Sequence, residues 1–181
     1  LLQELKTAVT IPVGMKLSPF FSSLPHFVHQ AETSGAAGIS LFNRFFQPDI
    51  DLETLSVVDR VQLSSSADTL LAMRWIAILR GSTSISLAAT GGVHTAEDAL
   101  KLLLAGADVV HLASALLKRG PQALSEMLVG ITRWLEAREY ASVAQLKGSL
   151  SQQNSPNPSA FARAAYLHAL DSFTPPDGVR Y

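Results

Sequence analysis

The chain has 181 residues, 48% of them hydrophobic and 16% charged, with a formal net charge of −1 and no cysteine. That length supports one domain with a sizeable core, and the composition excludes a disordered chain. Scattered charges give no basic stripe for nucleic acid and no acidic tail for a charged partner, while the lack of thiols excludes disulfides, thiolate metal sites and a Cys nucleophile, in keeping with a reducing compartment.

The segment Leu1–Val9 reads as the tail of a helix already under way, which leaves a truncated N-terminus open. Ile11–Leu17, "IPVGMKL", is a short apolar run that suits a strand buried on both faces. Apolar residues then recur at helical spacing over Ser23–Ser34, with Gly35 as the stop signal. Ala37–Phe42 is a second strand, followed by a polar and aromatic loop over 43–67. Leu70–Leu79 predicts a helix and Ser84–Ala89 a third strand, which runs into "TGGV". Thr95 opens the next helix, to Leu104, with Asp98 three residues on in a capping-box-like pattern. Gly106 stops it, Ala107–Leu112 is the fourth strand, and a short helix precedes a longer one from Pro121 to about Arg138. Beyond Tyr140 the chain predicts a short helix, a Ser/Gln/Asn/Pro linker, an amphipathic helix over 158–173 and a frayed end over 174–181. No apolar run is long enough to span a bilayer, and no leader pattern is present.

Strand–helix alternation implies parallel strands joined by right-handed crossovers. A doubly wound sheet and part of a (β/α) barrel both satisfy it; four strands are half of the eight a barrel needs. In either architecture the strand C-termini share one face, where loops carry function. Gly91 and Gly92 follow one strand, and Ala113 and Ser114 follow the next. Two such adjacent loops match the backbone phosphate site that barrels build after their last two strands. Two ordinary tight turns are the alternative, and the consecutive pair favours phosphate.

Lys16, near the end of a buried strand, is costly there unless it points into a polar site. It would pair with a phosphate or a developing negative charge, against a plain snorkelling role. Asn43 offers a donor and an acceptor suited to an amide or ring edge, or else starts an Asx turn. The hydroxyls of "SSS" at 64–66 suit an N-cap more than ligand contact. His94 and His111 are isolated, and His111 is expected to face the surrounding helices. The histidines lack ligand spacing and the Asp-x-Asp of "QPDIDLET" lacks a calcium loop's Gly and terminal Glu, so no metal is expected.

Together "GMKLSPFF", "SLFN", "LAATGGVHTAEDALKLLLAGADVVHLASALL" and "GPQALSEM" resemble the C-terminal half of dihydroorotate dehydrogenases, closest to the soluble, cytosolic class, over roughly Ile11 to Gly148. The resemblance implies a (β/α)8 TIM barrel holding FMN, of which residues 1–148 supply about four βα units and 149–181 a linker and helical tail. It further implies an oxidoreductase of pyrimidine biosynthesis in the cytoplasm that passes a hydride from dihydroorotate to the flavin, acts without membrane or nucleic acid, and has room for a homodimer. Carried over by position, Lys16 matches a lysine near the flavin ring and ribityl chain. Thr90, Gly91 and Gly92 match the first phosphate loop, Ala113 and Ser114 a Gly-Thr pair in the second, and Ser64 and Ser65 fall near a Ser-Gly segment touching the flavin. Asn43 matches a pyrimidine-binding asparagine. Arg44 stands where the family commonly has a small hydroxyl residue beside the substrate, which leaves another cyclic amide open as substrate. The family's catalytic base, a Cys or Ser, is expected upstream of Leu1.

Overall fold

In the computed structural model, residues 1–162 and 165–174 are described. The alternation forms as expected: α1 (Leu2–Ala8), β1 (Gly14–Leu17), α2 (Leu24–Thr33), β2 (Gly38–Leu41), α3 (Thr69–Leu79), β5 (Ser86–Thr90), α4 (Ala96–Ala105), β6 (Val109–His111), α5 (Ser114–Arg119) and α6 (Gln122–Ala137). Strands β1, β2, β5 and β6 pair in that order, all parallel, into one four-stranded sheet. Between β2 and α3, where a loop is expected, β3 (Asp49–Asp51) and β4 (Ser56–Val58) form an antiparallel hairpin. The Asp51 carboxylate accepts the Glu53 and Thr54 amides at 2.9 and 3.0 Å and closes its turn.

Register fixes which side of the sheet is covered. Leu17, Leu41 and Ala89 align across the strands, and with Ile39 and Leu87 they are at most 5% exposed. Leu24, Val28 and Ala31 of α2 and Ala72, Ile76 and Leu79 of α3 join them in one core, at spacings that stack one helix stripe over the sheet. Full burial of each such leucine stabilises by about 2 kcal/mol. The opposite row runs Lys16, Ser40, Ala88, Val109, with Thr90 beside His111 one step further on. Lys16, Val109 and His111 on this row are exposed. Strand β1 is therefore covered on one face only, not on both: Met15 and Leu17 pack against the helices while Gly14 and Lys16 do not. His111 likewise lies on the row opposite the helices, a reversal of its expected direction. Alternation says which residues share a face but not which face is covered.

The sheet's other end is tied by charge. Arg80, at the end of α3, makes a bidentate pair with Asp108 at 2.9 and 3.0 Å. Lys147 reaches the same carboxylate at 2.6 Å, and the Leu87 amide donates to it at 2.8 Å. Burial alone would push the Asp108 carboxyl up; these bonds outweigh it and hold the group down at about 2. Lys147 follows α7 (Val143–Leu146), whose Leu146 is fully buried with Leu100 and Leu103. Past it the amides of Gly148 and Leu150 donate to Leu103 and Leu104, and that of Gln152 to Ala77. The helix expected over 158–173 is instead a 3-10 turn, Pro158–Phe161, and α8 (Ala165–Asp171). Ala162 after the turn is extended, with ψ 162°, which interrupts the expected run. Of the expected frayed end, 175–181 lie outside the described residues.

Candidate functional site

Strand β5 ends at Thr90 and the chain turns on two left-handed glycines, Gly91 at φ +100° and Gly92 at φ +76°. L-residues pay for that conformation, so both positions favour glycine. Their surroundings differ. A Cβ on Gly91 would meet nothing within 4 Å, whereas one on Gly92 would stand 2.9 Å from the Ser65 carbonyl oxygen and 2.8 Å from the Asp68 carbonyl carbon. Gly92 lets segment 65–69 pack on the turn, and Gly91 leaves the turn open outward. Among the described residues, the amides of Gly91, Gly92 and Ala113 have no protein acceptor.

Side chains bind this turn to its neighbours. Ser64, 4% exposed, receives Ser114 and His94: its amide donates to Ser114 Oγ at 3.1 Å, and its hydroxyl bonds His94 Nε2 at 3.0 Å. Lys118 donates to the Ser64 carbonyl at 2.8 Å. Asp98 forms the expected capping box with Thr95 and does more. Its Oδ2 accepts the Ser66 hydroxyl at 2.7 Å and the His94 and Thr95 amides at 3.0 Å each. Burial raises the Asp98 carboxyl, but the bonds from Ser66, His94 and Thr95 prevail and hold it below the usual range. The loops after β2, β5 and β6 are thus one hydrogen-bonded unit, joined by residues 30 to 54 positions apart. Ser65 caps the short turn ahead of α3, its amide donating to Asp68 Oδ2 at 2.7 Å. The capping expectation for the serines is met by Ser65, while Ser64 and His94 partner each other.

A cleft of about 210 Å³ opens at the same edge. Asn43, Arg44, Thr90 and Gly91 line it, with Phe20 and Phe45 as walls at 5.4 Å between ring centroids. Arg44 stands 3.7 Å from Asp68 Oδ2 across its floor. Asn43 is placed by its backbone, whose amide donates to the Leu17 carbonyl at 2.6 Å. The structure therefore brings Asn43 and Arg44 together with Thr90 and Gly91. Gly92, Ser64, Ser65 and Ser114 belong to the adjoining loop unit, and Lys16 lies on the uncovered sheet row outside the cleft lining. Two residues escaped the sequence reading. Ser40 stands beside Lys16 with a buried hydroxyl that has no partner, and Asp68 links Arg44 to Ser65. Among the described residues no acidic, His or Cys cluster could hold a metal ion, and no helix is long and apolar enough to cross a membrane.

The family model described as dihydroorotate dehydrogenase matches residues 1–135. Dihydroorotate dehydrogenase A (fumarate) of Lactobacillus helveticus is 33% identical over 118 residues, 64% of this chain and 38% of that protein. The catalytic subunit of dihydroorotate dehydrogenase B (NAD(+)) of Shouchella clausii is 30% identical over 151 residues, 82% of this chain and 49% of that protein. The corresponding subunit of Pyrococcus abyssi is 30% identical over 149 residues, 81% of this chain and 50% of that protein. The chain spans about two-fifths to one half of the length of these relatives.

Proposed function

The chain belongs to the dihydroorotate dehydrogenase family, and from that premise we propose that it supplies the C-terminal half of an FMN-binding (β/α)8 barrel that oxidises dihydroorotate to orotate in pyrimidine biosynthesis. The observation that carries the reading is the loop unit at the strand C-termini, with the free amides of Gly91, Gly92 and Ala113 at its rim. The residues fit the cofactor: Gly91 leaves room where a Cβ would stand, and the partnerless Ser40 hydroxyl lies on the uncovered row beside Lys16.

In this reading the backbone N–H groups of Gly91 and Gly92, with those of Ala113 and Ser114, hold the phosphate. Thr90 and Ser65 border it, and Ser64 fixes the loop spacing through Ser114 and His94. Bound FMN supplies the two-electron acceptor for the bond being oxidised. Lys16, exposed on the uncovered row, would offer an ammonium to negative charge gathered on the flavin when it is reduced. Asn43 orients an amide edge with its paired donor and acceptor, and Arg44 faces the anionic end of the substrate. None of the described residues is assigned as the proton-abstracting base. The reading takes 1–148 as the half barrel and 149–181 as a tail on its outside, in a cytoplasmic enzyme.

Purified full-length protein is expected to be yellow and to bleach anaerobically on addition of dihydroorotate. A colourless protein overturns the flavin and leaves a non-redox phosphate-binding barrel. A yellow protein that dihydroorotate does not bleach keeps the flavin and overturns the substrate. Arg44, where the family commonly has a small hydroxyl residue, then favours a different cyclic amide.

A further inference from the structure

A larger cavity, of about 670 Å³, lies between the ends of α4 and α6, α7 and the segment that follows it. Leu104 on its lining stands about 14 Å along α4 from Thr95, at the opposite end of that helix from the Gly91 turn. One wall is aromatic. The Trp134 and Tyr140 rings stack with centroids 5.7 Å apart at 19°, and the Arg138 guanidinium lies 5.6 Å from the Trp134 centroid. Such a set of flat groups takes a further planar ring, and a nucleobase stacked on an aromatic side chain gains about 1–3 kcal/mol. Arg138 and Glu139 both line the cavity and cancel in charge, which suits a neutral ligand over an ion.

Two carboxamides on the lining define the ring edge that fits. Gln145 Oε1 accepts the Ala141 amide at 2.8 Å, which leaves its Nε2 hydrogens for a ligand. Asn154 Nδ2 donates to the Gly148 carbonyl at 2.9 Å, which leaves its Oδ1. A donor and an acceptor complement a lactam edge, a ring C=O beside a ring N–H. Ser149, on the same lining, has a buried hydroxyl with no partner among the described residues. Leaving it so costs about 1–3 kcal/mol, and rotation about χ1 toward the cavity would pair it with a sugar hydroxyl. We propose that this cavity binds a neutral nucleoside with a lactam-edged base, stacked on the Trp134–Tyr140 pair and read by Gln145 and Asn154. A free base would leave Ser149 and much of the volume unused. The site is separate from the Asn43 cleft and does not depend on the function proposed above.

The test is calorimetric titration of full-length protein with uridine and with 3-methyluridine, whose lactam N–H is blocked, for the wild type, Q145E and S149A. Q145E keeps an oxygen for the Ala141 amide and removes the free donor, so uridine affinity should fall about tenfold while the melting temperature holds. S149A deletes a partnerless hydroxyl, so stability should be equal or higher, yet uridine should bind about threefold to tenfold more weakly. The wild type should bind 3-methyluridine about tenfold more weakly than uridine. A wild type that binds neither nucleoside, or both equally, overturns the proposal. So does uridine binding that Q145E and S149A leave unchanged, because the nucleoside then sits elsewhere. A colourless or unbleached protein overturns the function proposed above alone, since the titration reads the nucleoside site directly.

Discussion

Gly91 and Gly92 adjoin one another and share a left-handed backbone, yet alanine should affect them unequally. Each substitution pays about 1–2 kcal/mol for a Cβ in that conformation. At Gly91 nothing lies within 4 Å of the new atom, so folding pays little more. At Gly92 the Cβ would sit 2.8 Å from the Asp68 carbonyl carbon and 2.9 Å from the Ser65 oxygen, both backbone atoms that move only with their loop. That displacement adds about 1–3 kcal/mol of overpacking. At about 2–4 °C per kcal/mol, Gly92→Ala should melt about 4–20 °C below wild type and Gly91→Ala about 2–8 °C below, with the Gly92 variant always the lower. Flavin binding should reverse the order relative to stability. The Cβ of Gly91→Ala points into the space through which a phosphate would reach the free amides, so FMN affinity should fall about tenfold or more despite the milder melting loss. Circular-dichroism melts of the flavin-free full-length protein and quenching of FMN fluorescence read the two quantities separately. Equal melting losses for the two variants would refute the packing argument, and unchanged FMN affinity in Gly91→Ala would remove the phosphate from this turn.

Asp108 gives a pH-dependent stability with a defined sign. Its carboxyl is held at about 2 when folded against about 3.9 unfolded, so the unfolded chain binds more protons between those values. The contribution, on the order of 2 kcal/mol, is complete above about pH 4 and is lost as pH falls toward 2. Acid titration of unfolding should show that slope in the wild type and lack it in Asp108→Asn; parallel curves would show that the Arg80–Asp108–Lys147 cluster does not stabilise the fold. Lys16 is exposed, so Lys16→Ala should keep the melting temperature of the flavin-free protein while weakening FMN or slowing its reduction. Unchanged affinity and kinetics would return Lys16 to a solvated role.

Much of the sheet was legible because its signals are local. Gly35 and Gly106 take positive φ at helix ends, Thr95 and Asp98 cap α4, and the four apolar runs pair in parallel. The hairpin was not legible: its strands are three residues each, too short for an alternation to register, and Ile50, Leu52, Leu55 and Val57 are exposed rather than patterned to a core. At the candidate site the sequence marked Thr90, Gly91, Asn43 and Arg44, each announced by the end of an apolar run. What it could not announce was pairing at a distance. Ser64 with His94, Ser66 with Asp98 and Arg80 with Asp108 are each about thirty positions apart, and nothing in the residues between them encodes the meeting.

Asp98 accepts at a single oxygen from the hydroxyl of one loop and the amides of another. An excursion of either loop would strip donors from a buried carboxylate and expose it unpaired, so the low-energy openings are those in which both loops leave together. Amide exchange at His94 and Thr95 should therefore share one opening rate with that at Ser65, whose own acceptor, Asp68, begins the same helix turn. Kinetically the two crossings behave as one gate with one lifetime, and a ligand resting on either would slow the exchange of both.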